Sequence, residues 1–492
     1  MAGYVLGIDQ STQGTKALLF DDTGKLLHRA DLLHRQIIDE KGWVEHDPEE
    51  IYRNTIGAVR LLVETSGIDR QKIQVLGISN QRETALVWDR ATGQPVYNAV
   101  VWQCARGAAI CEEIQKQKNA GIIRSRTGLP LSPYFSAAKI AWVLRHAEGA
   151  QVRADKGELC CGTIDSWLVY RLTGKKEFRT DYSNASRTQM FNIRTLNWDP
   201  EVCKLFGIPL SCLAEVTDSD GYYGETDLEG LLDHPIPIRG VLGDSHGALF
   251  GQGCLKKGMV KATFGTGSSI MMNIGEQPVF SDRVVTSLAW GMNGKVNYVL
   301  EGNINYTGAV ITWLKDDLNL IQSPAETEEL AREANPTDTA YLVPAFSGLS
   351  APYWDSDAKA VLYGMTRTTR RPEIVKAGLE SIVYQITDVL EAMEQESGIS
   401  IEELRVDGGP TRNGYLMQFQ SDLAQIPVRV PSAEELSGIG AAYAAGLAAG
   451  IYGMDSLFDH FRRTKFLPLM PKQDRDQKYR GWQKAVEKAL SE

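Results

Sequence analysis

At 492 residues the chain has room for two to four domains of roughly 150 residues each. Its 43% hydrophobic and 23% charged content is that of a globular protein with large cores. Lys and Arg number 52 against 62 Asp and Glu, a net charge of −10 that argues against nucleic-acid binding, which needs a basic footprint.

The first sixteen residues of interest, Gly7 to Asp22, read as strand, polar turn, strand. Tyr4, Val5, Leu6 and Ile8 make a buried strand that ends at Asp9, and Ala17 to Phe20 make the return. Between them Thr12, Gln13 and Gly14 offer a hydroxyl, an amide and approachable backbone N–H groups, suited to wrapping a polyphosphate. Asp9 at the strand end can hold Mg²⁺. A helix is predicted from Glu49 to Val63, then strands over 75–80, 85–89 and 99–103, with "QRET" at 81–84 between the first two. Residues 136–149 read as an amphipathic helix introduced by Ser136, and 162–174 as a helix with a glycine stop. The apolar strand "IPIRGVLG" then delivers Asp244.

From there the pattern restarts. Residues 259–275 form a second strand–turn–strand unit, with Gly265, Thr266, Gly267 and Ser268 in the turn. Strands at 285–300 and 339–346, helices at 307–316, 373–396 and 415–425, and a strand at 404–409 follow. Neither turn is a Walker loop or a dinucleotide fingerprint; it is their pairing, half a chain apart, that points to two related lobes closing on one nucleotide. The uncharged stretch Leu436 to Met454 is dominated by Gly and Ala, so it reads as a close-packed internal helix, not a membrane span. The lobe boundary is expected near 245–258, with mixed α/β sheets on both sides and the cleft between them.

Seven cysteines, Cys104, Cys111, Cys160, Cys161, Cys203, Cys212 and Cys254, are odd in number and form no C-x-x-C, which suggests neither a zinc site nor a disulfide framework. The N-terminal segment has no basic and apolar signal-peptide pattern. The expectation is a cytoplasmic protein without membrane or nucleic-acid partners, compatible with a homo-oligomer.

The segments "GIDQST" (7–12), "GWVEHDPEEI" (42–51), "NQRETALVWD" (80–89), "SPYFSAAKIAW" (132–142), "TDYSNASRTQMFNI" (180–193), "VPAFSGLSAPYWD" (343–355), "GMTRTTRRPEIVKAGLESIVYQ" (364–385) and "VDGG" (406–409) carry a resemblance that runs nearly end to end. The chain resembles the FGGY carbohydrate kinases of the actin-like ATPase superfamily, closest to their glycerol-phosphorylating branch. The resemblance implies an α/β fold of two ribonuclease-H-like domains, 1–250 and 251–492, flanking a central cleft. It implies transfer of the γ-phosphoryl group of ATP, with Mg²⁺, to a hydroxyl of a small polyol or sugar. Asp244 is then the general base, Asp9 and Asp244 serve the metal, and Lys16 stands near the phosphates. Thr12, Gln13, Gly14, Gly265, Thr266, Gly308, Thr312, Gly409 and Asn413 surround the nucleotide. Arg82, Glu83, Trp102, Tyr134, Asp244, Ser245 and Ser269 surround the acceptor.

Departures from that branch are informative. Ser245 and His246 stand where it has two glutamines, Ser269 where it has phenylalanine, and Cys104 where it has aspartate. These changes enlarge the pocket and make it more polar, so a tetritol, a pentitol or a ketopentose such as xylulose is an alternative acceptor to glycerol. The segment 226–235 lacks the glycine- and arginine-containing regulatory loop of some relatives. Two readings compete from outside the kinases. Gly243 to Gly247 matches the G-x-S-x-G elbow of serine hydrolases, for which the one later histidine is His460. A non-catalytic, sugar-sensing actin-like protein would share the fold.

Overall fold

The hairpin read from the first twenty residues seeds the first lobe. In the computed structural model, which describes residues 3–458 and 461–491, β1 (Tyr4–Gln10), β2 (Gly14–Phe20) and β3 (Leu26–Leu33) form an antiparallel meander. Helix α1 (Pro48–Ser66) follows. Asp47 starts it by accepting the Glu49 N–H, Pro48 sits in its first turn, and Gly67 ends it at φ 65°. The helix returns the chain to β4 (Ile73–Asn80), parallel to β1, and β5 (Ile236–Gly243) adds parallel to β4. Helix α2 (Asp244–Gly251) leaves β5 without an intervening loop.

The second lobe repeats this order. Strands β6 (Val260–Phe264) and β7 (Ser268–Gly275) make the second hairpin, and β8 (Val285–Met292) and β9 (Lys295–Ile304) extend it antiparallel through a β7–β9 pair. Helix α3 (Arg371–Ser397) crosses over to β10 (Leu404–Asp407), parallel to β6, and β11 (Val428–Pro431) follows parallel to β10. Meander, crossover helix, two parallel strands: both lobes are ribonuclease-H-like, as the actin-like ATPase architecture requires. A five-stranded sheet built from segments within 37–46, 85–100 and 159–163 rides on the first lobe.

What joins the lobes is α4 (Leu436–Ala448), which lies on the first lobe's sheet although it follows the second lobe's strands in sequence. Gly7, Gly77 and Gly240 stand in lateral register across β1, β4 and β5. A Cβ on Gly77 or Gly240 would overlap the Ala441 carbonyl, so the helix backbone touches the sheet directly. On its other side Gly440 meets the Gly247 carbonyl of α2. That close approach explains the uncharged Gly/Ala run, and among the described residues no helix is long and apolar enough to cross a membrane.

The second lobe's sheet has two differently used faces. Gly302 of β9 has no room for a side chain because Val389 of α3 fills the space, which places Ile270, Met272 and Leu300 in the core shared with α3. The opposite face carries Val285, Glu301, Met271 and Lys261 in one lateral row, and Met271 packs with Leu249 and Phe250 of α2. That face looks at the first lobe.

Three local expectations differ. Gly162 and Thr163 are ladder residues opposite Leu86 and Ala85, so the helix starts at Ile164. Only Ala99–Val100 of 99–103 is strand. The helix Ser136–His146 is buried at every position from Ser136 to Leu144, and its first residue donates to the Glu83 carbonyl at 3.2 Å instead of capping.

The α4 packing gives a stability prediction. Gly440→Ala overpacks the joint and costs about 1–3 kcal/mol, lowering the thermal midpoint by several degrees. Gly453→Ala, whose added methyl meets no atom of the described residues within 4 Å, leaves the midpoint near the parent value. Differential scanning fluorimetry of the two variants checks this.

Candidate active site in the cleft

The turn after β1 is closed by its own serine: the Ser11 N–H and hydroxyl both donate to the Gly14 carbonyl, at 2.8 and 3.0 Å. Thr12 at the tip accepts from the Trp102 indole at 3.0 Å and reaches the Gln81 amide oxygen at 3.4 Å, while Gln13 is exposed. Trp102 leaves the strand ladder to make this bond, and its ring meets Tyr134 edge-on at 5.7 Å. Lys139, buried, donates to the carbonyls of Pro133 and Phe135 at 2.8 and 3.1 Å and to that of Tyr134, which fixes the Tyr134 loop. Burial pushes that ammonium down to about 7.

Asp9 is buried at the end of β1, 3.7 Å from Lys16. Burial raises its carboxyl to about 6 against the pull of Lys16, with Glu435 and Asp244 adding to the rise. Lys16 is shared. It donates to Glu435 at 2.5 Å, and Arg29 pairs with the same carboxylate at the start of α4. The cation read as a phosphate ligand is therefore also a clasp between β2 and α4.

Arg82 is the hub. Its Nε donates to Asp244 at 3.1 Å, and both terminal nitrogens donate to Glu301 at 2.9 Å. Arg187 adds a second guanidinium, 2.6 Å from Glu83 and 3.0 Å from Glu301. Burial would raise the Glu301 carboxyl, but Arg187 and Arg82 outweigh it and hold it well below the usual carboxylate range. Asp244 is the open member, its side chain 37% exposed at the first turn of α2. His246, two residues further, is buried with Nε2 3.4 Å from Ser287 of β8, and burial and Arg82 keep it neutral.

On the second lobe, the Thr266 and Gly265 carbonyls accept the backbone N–H groups of Thr307, Gly308 and Ala309, so the exposed turn is tied to the next helix. That helix, Gly308–Thr312, widens into a π-helical turn over Trp313–Asp317. Gly308, Thr312, Gly409 and Asn413 line one cavity of about 650 Å³, with apolar walls from Ile311, Leu379, Ile382 and Leu416. Asn413 caps the helix Gly414–Ala424 with its side-chain oxygen and donates to Thr327 at 3.1 Å. These four, of the nine positions predicted for the nucleotide, are thus neighbours in space.

Sequence reasoning missed Glu301, Arg187, Gln81 and Glu435. Glu301 carried a signal, a single carboxylate inside the apolar strand "YVLEGNI". The hydrolase reading does not survive. Gly243 to Gly247 does sit at a strand–helix junction, but Ser245 is not among the residues with positive φ that a strained elbow needs. His246 faces Ser287, and His460 lies outside the described residues.

Two such lobes, each offering a glycine and hydroxyl turn to a shared cleft, define a phosphotransferase of the actin-like ATPase architecture. The family model for the N-terminal domain of FGGY carbohydrate kinases matches residues 4–251, and that for the C-terminal domain matches 260–449. The chain belongs to the FGGY family of carbohydrate kinases. It is 49% identical to glycerol kinase 1 of Thermotoga maritima, over 99% of this chain and 100% of that protein, and 48% identical to glycerol kinase of Alkaliphilus oremlandii, over 100% and 98%. The structure of Plasmodium falciparum glycerol kinase with ADP superposes with a TM-score of 0.94 at 36% identity, covering 100% of this chain and 99% of that one.

Two predictions follow from the charges. Glu301→Gln leaves two buried guanidinium groups short of a counter-charge and lowers stability by about 3–5 kcal/mol, read as a drop in the chemical-denaturation midpoint. Asp9→Asn does the reverse. A carboxyl whose folded value, about 6, lies above its unfolded 3.8 opposes folding once ionised. The variant is more heat-stable than the parent above pH 6, and the gap closes as pH falls towards 4, as thermal scans across that range will show.

Proposed function

We propose that the protein transfers the γ-phosphoryl group of ATP to a hydroxyl of glycerol, releasing ADP and a polyol phosphate. The observation that carries this reading is Asp244, open to the cleft and aimed by an Arg82 that Glu301 locks in place. The end-to-end similarity to proteins named glycerol kinase supports the acceptor.

In this reading Asp244 takes the proton from the attacking hydroxyl, a role worth about 10²–10⁴-fold in rate. Arg82 and Glu83 grip neighbouring hydroxyls, a guanidinium as donor and a carboxylate as acceptor. Trp102 and Tyr134 cover the carbon chain with apolar ring faces. Burial, then Glu83, push the Tyr134 phenol up, so it stays protonated and can donate. Ser245 and Ser269 complete the acceptor wall. The turn residues Thr12, Gln13, Gly14, Gly265 and Thr266, with Lys16 behind them, face the phosphates, and the cavity around Gly308, Thr312, Gly409 and Asn413 takes the nucleoside end. The two working domains are 1–250 and 251–492, with α4 as the joint between them.

The donor set suits Mg²⁺. Asp9 and Asp244 are hard oxygen donors, close enough that the Asp244 charge raises the Asp9 carboxyl, and Mg²⁺ typically takes one or two carboxylates and completes its shell with water and phosphate oxygens. When bound, the ion neutralises charge on the phosphates. Seven buried free thiols fit a reducing cytoplasm.

Coupled ADP-release assays test the proposal. Glycerol raises ADP release well above the acceptor-free rate, and Asp244→Asn lowers kcat by about 10²-fold or more while ATP binding persists. If neither glycerol nor any other polyol or sugar raises ADP release, the proposal fails.

A further inference from the structure

The cleft-facing side of the second lobe's sheet carries a row of polar residues one step beyond Glu301. Asn303 pairs with Ser269, Ser269 with Thr263 and Thr263 with Asp407, in lateral register across β9, β7, β6 and β10. Side chains two apart on a strand share a face. Asn303 therefore shares the face of Glu301, and Ser269 that of Met271, which looks at α2. The row lies nearer the turn Gly265–Gly267 than Glu301 does, by two residues of about 3.4 Å each.

Two of the four are satisfied from within the protein. Thr263 accepts from Lys261 at 3.0 Å, and Asp407 accepts from Gln252 at 3.0 Å. Ser269 differs: its hydroxyl is buried and has no hydrogen-bond partner among the described residues. A buried hydroxyl without a partner is costly, so such groups are ordinarily paired. Beside it Asn303 is only half-buried.

We propose that Ser269 is a specificity-determining residue of the acceptor site, and that it pairs with the hydroxyl on a fourth carbon, so that the site takes tetritols as well as glycerol. The inference rests on the kinase reading above. Asp244, Arg82 and Glu83 suffice for the hydroxyls of a three-carbon acceptor. A longer linear polyol anchored on the same groups extends along the sheet face towards Ser269. There its extra hydroxyl gives the serine the partner it lacks, with Asn303 as a second polar neighbour.

The test compares kcat/KM for glycerol, erythritol and threitol in the parent, Ser269→Ala and Asn303→Ala, with thermal midpoints reporting that each variant is folded. The parent is expected to turn over at least one tetritol with kcat/KM within tenfold of glycerol or above it. Ser269→Ala lowers the tetritol-to-glycerol ratio by about tenfold or more, as loss of one paired group in a polar site does. Asn303→Ala lowers the ratio less and in the same direction. The inference is overturned if the parent disfavours every tetritol more than tenfold, or if Ser269→Ala leaves the ratio unmoved, which would mean that water satisfies the serine. Absence of ADP release with glycerol as well as the tetritols would instead bring down the kinase reading itself.

Discussion

Arg82 leaves the first lobe and places both terminal nitrogens on Glu301 of the second, where both side chains are buried. Its third nitrogen, Nε, donates to Asp244 at 3.1 Å. One guanidinium thus ties the relative position of the lobes to the position of the group proposed as base. Arg187 prevents the arrangement from being a simple pair: it bridges Glu301 and Glu83, so two cations and two anions neutralise one another in the interior while Asp244 stays open. Replacing such a cluster by apolar side chains could hold the fold equally well. Its value lies in geometry, since it sets a carboxylate and a guanidinium side by side at the cleft.

Glu301 and Asp9 are both deeply buried carboxylates, yet their charges are held in opposite ways. Two guanidinium groups keep Glu301 ionised far into acid, whereas Asp9 has one ammonium that it shares with Glu435, and its carboxyl rises to about 6. The first is an internally closed structural site. The second is underneutralised, as a group waiting for an external cation would be. Stability given up at Asp9 is consistent with a site shaped for a ligand that the chain itself does not supply.

Much of the fold was legible because period and punctuation agree. The two strand–turn–strand units, the long crossover helix ahead of "LRVDGG", and the packed Gly/Ala helix all stand where pattern placed them. Ambiguity arose where one stretch served two elements. "GTIDSWLVYRLTG" begins as a ladder residue pair and only then coils, and the helix read as amphipathic over 136–149 is buried at every position from Ser136 to Leu144 and ends at His146. The site was read in part. Residues at strand ends and turns announced themselves, because a polar group after an apolar run has few other reasons to be there. Arg187 and Glu435 did not, and Glu301 showed only as a lone carboxylate in an apolar strand, since each acts through a partner more than a hundred residues away in sequence. Arg187 lay inside a recognisable segment, but its pairing to Glu83 and Glu301 is a fact of three-dimensional packing.

If the Arg82–Glu301 contact governs the acceptor site, the two residues must act as a unit. The direct measurement is a double-mutant cycle of Arg82→Lys and Glu301→Asp, read on acceptor kcat/KM in ADP-release assays. The account predicts strong non-additivity, with the double variant little worse than the poorer single one. Losses that simply add would mean that Glu301 does not work through Arg82, and would contradict it.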